Sequence, residues 1–312
     1  MVQIRLHHIT LPSCFRQQKN TSGNMHTIPE PAASENTRLT AIPEIPAYLD
    51  ILCRISLRRI SHGICWRNHQ ENPSHLYFNR KIMATKPTII LVHGAWSDAY
   101  HWENVILGLY AKGYKVRAVE NSLKSLEEDI DNTIRLIGAH PEPVILVGHD
   151  YGGAVITRAG NEDNVVGLVY CAAYSLDESE TINDVLTYRD PSPSVMNFID
   201  TLDDYIWIKY DKFKDSYCQD VADDKAYVMS VTQKPIYAKT LNDPSGEAAW
   251  KNVPSWYQIS SKDRIIPPET QKWLADRLEA KKVITLDSSH ASIISHANDI
   301  VNLIDEAAKS LG

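Results

Sequence analysis

From Thr88 onward the chain alternates short apolar runs with segments of helical period. Thr88-Ile89-Ile90-Leu91-Val92 is continuously apolar and stops at His93-Gly94, the pattern of a strand buried on both faces. Residues 102–112 place Val105, Leu107, Leu109 and Tyr110 at helical spacing and stop at Gly113, which predicts a helix with a glycine C-cap. Residues 115–119 read as a second strand. Residues 126–137 read as an amphipathic helix, with Ile130, Ile134 and Leu136-Ile137 on one side. A third strand over 143–147 runs directly into Gly148. The pattern then predicts a helix over 153–159, a buried strand over 165–172, a strand over 255–259 and a helix over 267–278 that starts on Pro267. A last strand over 283–286 and a closing helix over 291–311 follow. Six strands separated by helices predict an α/β domain whose sheet is mainly parallel, with helices on both faces. Residues 175–250 break the rhythm with polar, aromatic-rich helical pieces. That stretch is too long for an ordinary loop, so it is expected to be an inserted helical cap.

The first 82 residues differ from the rest. They hold 8 Arg and 2 Lys against 5 acidic residues, a net charge of +5, whereas residues 83–312 carry a net −12. They also hold six of the twelve His and three of the five Cys (Cys14, Cys53, Cys65). Apart from a short apolar patch near 48–55 they lack hydrophobic periodicity, so irregular chain is expected there. A secretory signal does not fit, because no 7–15-residue apolar core follows the N-terminal charges. A transit peptide fits the acid-free residues 1–29 but not the sparse Ser or the length. The third reading is that the native domain begins at Met83. Arg80-Lys81 just upstream would then be a ribosome-binding purine run read in frame, a reading that N-terminal sequencing of the native protein tests.

Composition narrows the class of function. A hydrophobic fraction of 43% with 23% charged residues is an ordinary globular balance. The net charge of −7 offers no footprint for nucleic acid or an anionic membrane. No apolar run approaches the ~20 residues that span a bilayer. Five Cys without C-x-x-C spacing give neither a disulfide framework nor a zinc site. Only Cys171 and Cys218 lie after residue 82, which fits a reducing cytoplasm. The expected partner is therefore a small molecule, with the oligomeric state open.

The informative segment is Gly148-His149-Asp150-Tyr151-Gly152-Gly153, between a buried strand and a helix. Small residues two before and two after Asp150 permit a sharp turn. Such a turn lifts the central side chain above the sheet edge, at the positive end of the next helix.

In this segment the chain resembles the nucleophile elbow of the α/β-hydrolase superfamily, with Asp where Ser is most common. The resemblance covers about residues 87–311. His93-Gly94-Ala95-Trp96 looks like the oxyanion loop, Ser261-Lys262-Asp263-Arg264-Ile265-Ile266-Pro267 like the acid turn, and Ser288-Ser289-His290 like the histidine turn. Gly167-Leu168-Val169-Tyr170 and Pro254-Ser255-Trp256-Tyr257 resemble small bacterial carboxylesterase-like members, which usually carry Ser at the elbow. The Gly-His-Asp-aromatic-Gly-Gly elbow instead resembles epoxide hydrolases and haloalkane dehalogenases.

The resemblance implies a cofactor-free hydrolase with Asp150 as nucleophile, His290 as base and Asp263 as orienting acid. The backbone N–H groups of Ala95 and Tyr151 would form the oxyanion hole, and Trp96, His149 and Tyr174 would contact substrate. A carboxylate displaces a leaving group at a strained or activated sp3 carbon, as in an epoxide or haloalkane, and water activated by His290 then cleaves the resulting ester. Two departures stand against this. Epoxide hydrolases usually carry His-Gly-x-Pro where this chain has Trp96, and they use two cap tyrosines, for which Tyr188, Tyr205, Tyr210, Tyr217, Tyr227 and Tyr237 compete. Dehalogenases usually place Trp beside the nucleophile, where this chain has Tyr151, so Trp96 or Trp207 would have to replace it.

Other readings remain beside this one. A carboxylic ester hydrolase with an altered nucleophile and a non-catalytic binding protein both keep the same fold. Asp177 after the fourth strand rivals Asp263 as the acid. His93 is expected to shape the oxyanion loop, and His296 to be structural within the closing helix. A dehydrogenase reading rests on Tyr205-x-x-x-Lys209 and the elbow glycines, but no G-x-G-x-x-G follows the first strand. His290 and His296 do not have the spacing of H-E-x-x-H zinc ligands, so no metal is expected.

Overall fold

The apolar run that opens the regular pattern forms β1 (Thr88–Val92), and all five of its residues are buried. The structure is a computed structural model and describes residues 86–189 and 194–312. The expectations for residues 1–82 lie outside the described residues. After β1 come α1 (Glu103–Ala111), β2 (Val116–Val119), α2 (Leu126–Gly138), β3 (Val144–Asp150), α3 (Tyr151–Ala159) and β4 (Val165–Ala173). Local chemistry accounts for the boundaries. Gly113 follows the end of α1 at φ +78°, a conformation that glycine adopts without strain. The Ser125 hydroxyl accepts the Glu128 N–H at 3.1 Å and caps α2.

Within the cap come α4 (Ile182–Arg189), β5 (Ile199–Leu202), β6 (Tyr205–Ile208), α5 (Tyr210–Tyr217), α6 (Asp223–Thr232) and β7 (Ile236–Tyr237). The core resumes with β8 (Ser255–Ser260), α7 (Pro268–Arg277), β9 (Lys282–Leu286), α8 (Ser292–Ser295) and α9 (Ala297–Ser310).

The main sheet has the order β2-β1-β3-β4-β8-β9, and every neighbouring pair is parallel. Burial follows position: β1 and β3 are wholly buried in the middle, while the edge strand β9 is largely exposed. The crossovers run outward from β1 to β2, then return past β1 to β3 and on to β4. Right-handed connections therefore put α1 on one face and α2 and α3 on the other. α9 packs against α1, and α2 against α3. The reversal lies between β1 and β3, so the loops after their carboxyl ends open a crevice, the usual ligand site of such sheets.

Three sequence expectations change. The cap is not purely helical, because β5, β6 and β7 form a three-stranded antiparallel sheet. β5 and β6 are joined by Asp203-Asp204, both at positive φ (48° and 66°), the geometry of a two-residue hairpin turn. The expected closing helix is broken at His296, which lies between α8 and α9. Finally, α3 starts at Tyr151 rather than Gly153, so the helix begins directly after Asp150.

Candidate active site

Asp150 ends β3 and caps α3 with φ 51° and ψ −122°, a strained conformation for a residue with a Cβ. The turn is possible because its neighbours are small. A Cβ on Gly152 would lie 2.3 Å from the Val92 carbonyl oxygen. One on Gly94 would lie 2.6 Å from Asp150 Oδ2, so the oxyanion loop needs glycine to pass the carboxylate. That loop is set by His93, whose Nδ1–H donates to the Gly94 carbonyl at 2.8 Å while Nε2 accepts the Asn121 N–H at 2.9 Å. Both bonds require a neutral ring, and burial pulls its pKa down to about 4. The Asn121 side chain completes the brace by donating to the His93 carbonyl at 2.8 Å.

The carboxylate of Asp150 is itself held by the two N–H groups expected to form an oxyanion hole. Ala95 N–H donates to Oδ2 at 2.8 Å, and the Tyr151 N–H also bonds the group. Oδ1 lies 3.8 Å from Nε2 of His290. Burial raises the Asp150 pKa above its ordinary value, against the opposing pull of His290 and the two N–H donors. His290 donates from Nδ1 to Asp263 Oδ2 at 2.7 Å. Its Nε2 is buried and has no hydrogen-bond partner among the described residues. Burial opposes a charged imidazole, but Asp263, by charge and hydrogen bond, and Asp150 together hold the His290 pKa above its usual value.

Asp263 is fixed in turn. Its Oδ1 accepts the N–H groups of Ile265 (2.7 Å) and Ile266 (3.0 Å), and its Oδ2 accepts Gln271 Nε2–H at 2.8 Å as well as His290. Asp177, the rival acid, is half exposed and pairs with Lys251 at 2.5 Å.

A cavity of about 220 Å³ opens over Asp150. Trp96 and Tyr174 line it, as does Tyr151, together with aliphatic side chains from core and cap such as Leu186, Ile206 and Leu241. Its remaining polar lining is Asn183 and Asn242, whose amides bond each other at 2.8 Å. No basic side chain is in the lining among the described residues.

Several expected contacts fall elsewhere. His149 does not line the cavity. It is fully buried behind His290 and donates from Nε2 to the His290 carbonyl at 2.9 Å, with its pKa lowered well below normal by burial. The indole N–H of Trp96 donates to the Ile206 carbonyl at 3.0 Å, and Trp207 is not in the lining, so neither offers an N–H to the cavity. None of the six cap tyrosines lines it, and Tyr188, Tyr210 and Tyr227 are exposed. His296 lies outside the cavity, 3.9 Å from Asp220.

The sequence reading missed Asn121, Asp129 and Asp220, and named Tyr217 only as one of six competing cap tyrosines. Asp129 is a buried carboxylate that accepts the Tyr151 hydroxyl at 2.8 Å and the Ser122 and Leu123 N–H groups. Its pKa is raised, by burial above all. An acid on the helix face that also carries Leu126, Ile130 and Ile137, one turn before Thr133, was the available signal.

Comparison with known proteins agrees with this architecture. The family model described as "Alpha/beta hydrolase family" matches residues 89–303. The chain is 28% identical over 254 residues to alpha/beta hydrolase nvfD of Aspergillus novofumigatus, covering 72% of this chain and 97% of that protein. It is 24% identical over 253 residues to methylesterase 3 of Arabidopsis thaliana, covering 72% of this chain and 96% of that protein. The fold is shared with the crystal structure of a pyrethroid hydrolase from Sphingobium faniae JZ-2. There the TM-score is 0.63 at 20% identity, over 72% of this chain and 97% of that one. With the match running through the elbow, acid and histidine turns, the chain belongs to the alpha/beta hydrolase family and is a hydrolase.

Proposed function

We propose that this hydrolase cleaves a small, neutral, mostly apolar substrate through a covalent ester on Asp150, which water activated by His290 and Asp263 then releases. The observation that carries the reading is the seating of Asp150. Oδ2 already sits on the Ala95 N–H at 2.8 Å, while Oδ1 lies 3.8 Å from Nε2 of His290. Oδ1 attacks an sp3 carbon, and the bond to the leaving group breaks with its electron pair. Oδ2 becomes the ester carbonyl oxygen without leaving its donors. Water then gives a proton to Nε2 of His290 as its oxygen bonds to Cγ of Asp150. Negative charge develops on Oδ2, where Ala95 donates, with the Tyr151 N–H also bonding the group. The Cγ–Oδ1 bond breaks, and His290 returns the proton to the departing alcohol.

The lining supports a neutral substrate, since an anion would meet Asp150 with no basic lining side chain among the described residues to offset it. Tyr174, Asn183 and Asn242 are polar side chains of the lining beside Asp150.

A second reading, carboxylic ester hydrolysis, draws on the names of relatives such as methylesterase 3. Asp150 would then have to give up the Ala95 N–H to the substrate carbonyl. A third reading keeps the cavity as a binding site without turnover.

The test uses styrene oxide, bromobutane and p-nitrophenyl acetate. With enzyme in excess in heavy-oxygen water, one labelled oxygen should enter Asp150 in a single turnover of the epoxide or haloalkane. The His290→Ala variant should hold the alkyl group as added mass on Asp150. Ester turnover that survives Asp150→Asn would overturn the covalent reading, and binding of all three probes without turnover would favour the third.

A further inference from the structure

The turn that carries His290 is gripped from the cap at three consecutive residues. Asp220, in the short connection between α5 and α6, accepts the Ser289 N–H at 2.9 Å and also the Ser289 hydroxyl. The ring of Tyr217, the last residue of α5, stands edge-on to the His290 imidazole with centroids 4.9 Å apart. The carbonyl of the same Tyr217 accepts the Ala291 N–H at 3.1 Å. The Ser295 hydroxyl adds a further donor to Asp220 at 2.8 Å, beside the break between α8 and α9. The Tyr217 hydroxyl reaches the other side of the site and bonds Ser97 next to the oxyanion loop. The core holds the histidine ring by a hydrogen bond at one atom, Nδ1 on Asp263, and holds the turn on its other side through the His149 bond to the His290 carbonyl, the Lys262 N–H on the Ser288 carbonyl at 3.0 Å and the Ser288 hydroxyl on Ser260 at 3.0 Å. A ring held at one atom can still swing, and the direction of Nε2 is then set by the turn.

Asp220 is the one charged member of this grip, and charge-assisted bonds are roughly twice as strong as neutral ones. We propose that Asp220 is a positioning residue that locks the histidine turn to the cap and so aims Nε2 of His290 at Asp150. The inference rests on the covalent reading above and divides its two steps. Ester formation uses Asp150 alone, with the Oδ1–carbon bond forming as the leaving-group bond breaks. Ester release needs His290 to take a proton from water. Loosening the turn therefore slows release and spares formation.

The experiment compares the parent, Asp220→Asn, Asp220→Ala and His290→Ala with bromobutane and styrene oxide. In Asp220→Ala, kcat should fall by ~10²-fold, the scale of an ångström of misplacement. KM should fall with it, kcat/KM should stay essentially unchanged, and alkylated Asp150 should accumulate in the steady state. Asp220→Asn, which keeps one acceptor, should lie between the parent and Asp220→Ala, and it serves if the alanine variant does not fold. A second arm needs no turnover. The downfield NMR signal of the His290 Nδ1–H proton bonded to Asp263 should broaden or vanish in the Asp220 variants while their near-UV circular dichroism stays native.

The outcomes separate the two claims. If His290→Ala gains no mass at Asp150, the covalent reading fails and the NMR arm alone judges Asp220. If His290→Ala traps the adduct, but the Asp220 variants lose kcat/KM together with kcat and accumulate none, the positioning role is overturned. An unaltered Nδ1–H signal in folded Asp220→Ala overturns it as well.

Discussion

Burial drives Asp150 toward its neutral form, yet the proposed first step needs its carboxylate. His290 faces the opposite conflict, because its carboxylate neighbours favour the protonated ring while ester release needs the neutral one. Both requirements make activity rise with pH. Asp150 must lose its proton above the ordinary 3.8, and His290 must lose its own above the ordinary 6.5. Where release limits turnover, the rising limb of kcat should therefore have its midpoint above pH 6.5. In Asp263→Asn that limb should move to lower pH as the rate drops, by up to ~10⁴-fold if the loss resembles that of other His-orienting carboxylates. A pH–rate profile checks this, and a limb centred below pH 6.5 would remove His290 from the base role. Asp150, Asp263 and His290 were readable because each sits in a short local motif whose turn the adjacent residues dictate. Asp220 was not, because what matters about it is a contact with a residue some seventy positions away and its segment resembles any polar connection between helices, and nothing local set Tyr217 apart from the five other cap tyrosines.

At the scale of elements, the elbow depends on close passage between β1 and α3. The Cβ of an alanine at position 152 would press against the Val92 carbonyl at 2.3 Å, and backbone cannot move aside as a flexible side chain can. Gly152→Ala should cost about 3 kcal/mol, the upper range for overpacking, and should shift Ala95 relative to Asp150. Urea unfolding measures the first effect and a fall in kcat the second. A variant with parental stability would mean that the strand and helix are not held this close. The core strands and most helices were legible because fully buried strands must be apolar throughout and half-buried helices must be apolar on one side. The cap sheet was not. Tyr205-Ile206-Trp207-Ile208 does not alternate, and the Asp203-Asp204 turn lacks the glycine that usually marks a hairpin.

At the scale of the whole molecule, polar bonds tie the core to the cap. One is the Trp96 indole N–H to the Ile206 carbonyl at 3.0 Å, which ties the oxyanion loop to β6. Trp96→Phe keeps the aromatic lining but leaves that carbonyl without this donor, at a cost of about 1 kcal/mol. For a chain of this size Tm should fall by about 2–4 °C. KM should rise more than kcat changes, because the cap wall shapes the cavity rather than the reacting atoms. Calorimetry and steady-state kinetics check both, and an unchanged KM would show that the cap keeps its place without the bond. The sequence by itself determined the parallel sheet, the strained turn at Asp150 and the three turns that carry Asp150, Asp263 and His290, because periodicity and turn chemistry are local properties of the chain. Only the tertiary structure decided that Asp263 rather than Asp177 reaches His290, that Trp96 spends its N–H on the cap, and that the cap grips the histidine turn. Each of those is a choice among partners distant in sequence, fixed by which side chains the folded sheet and cap bring within bonding distance.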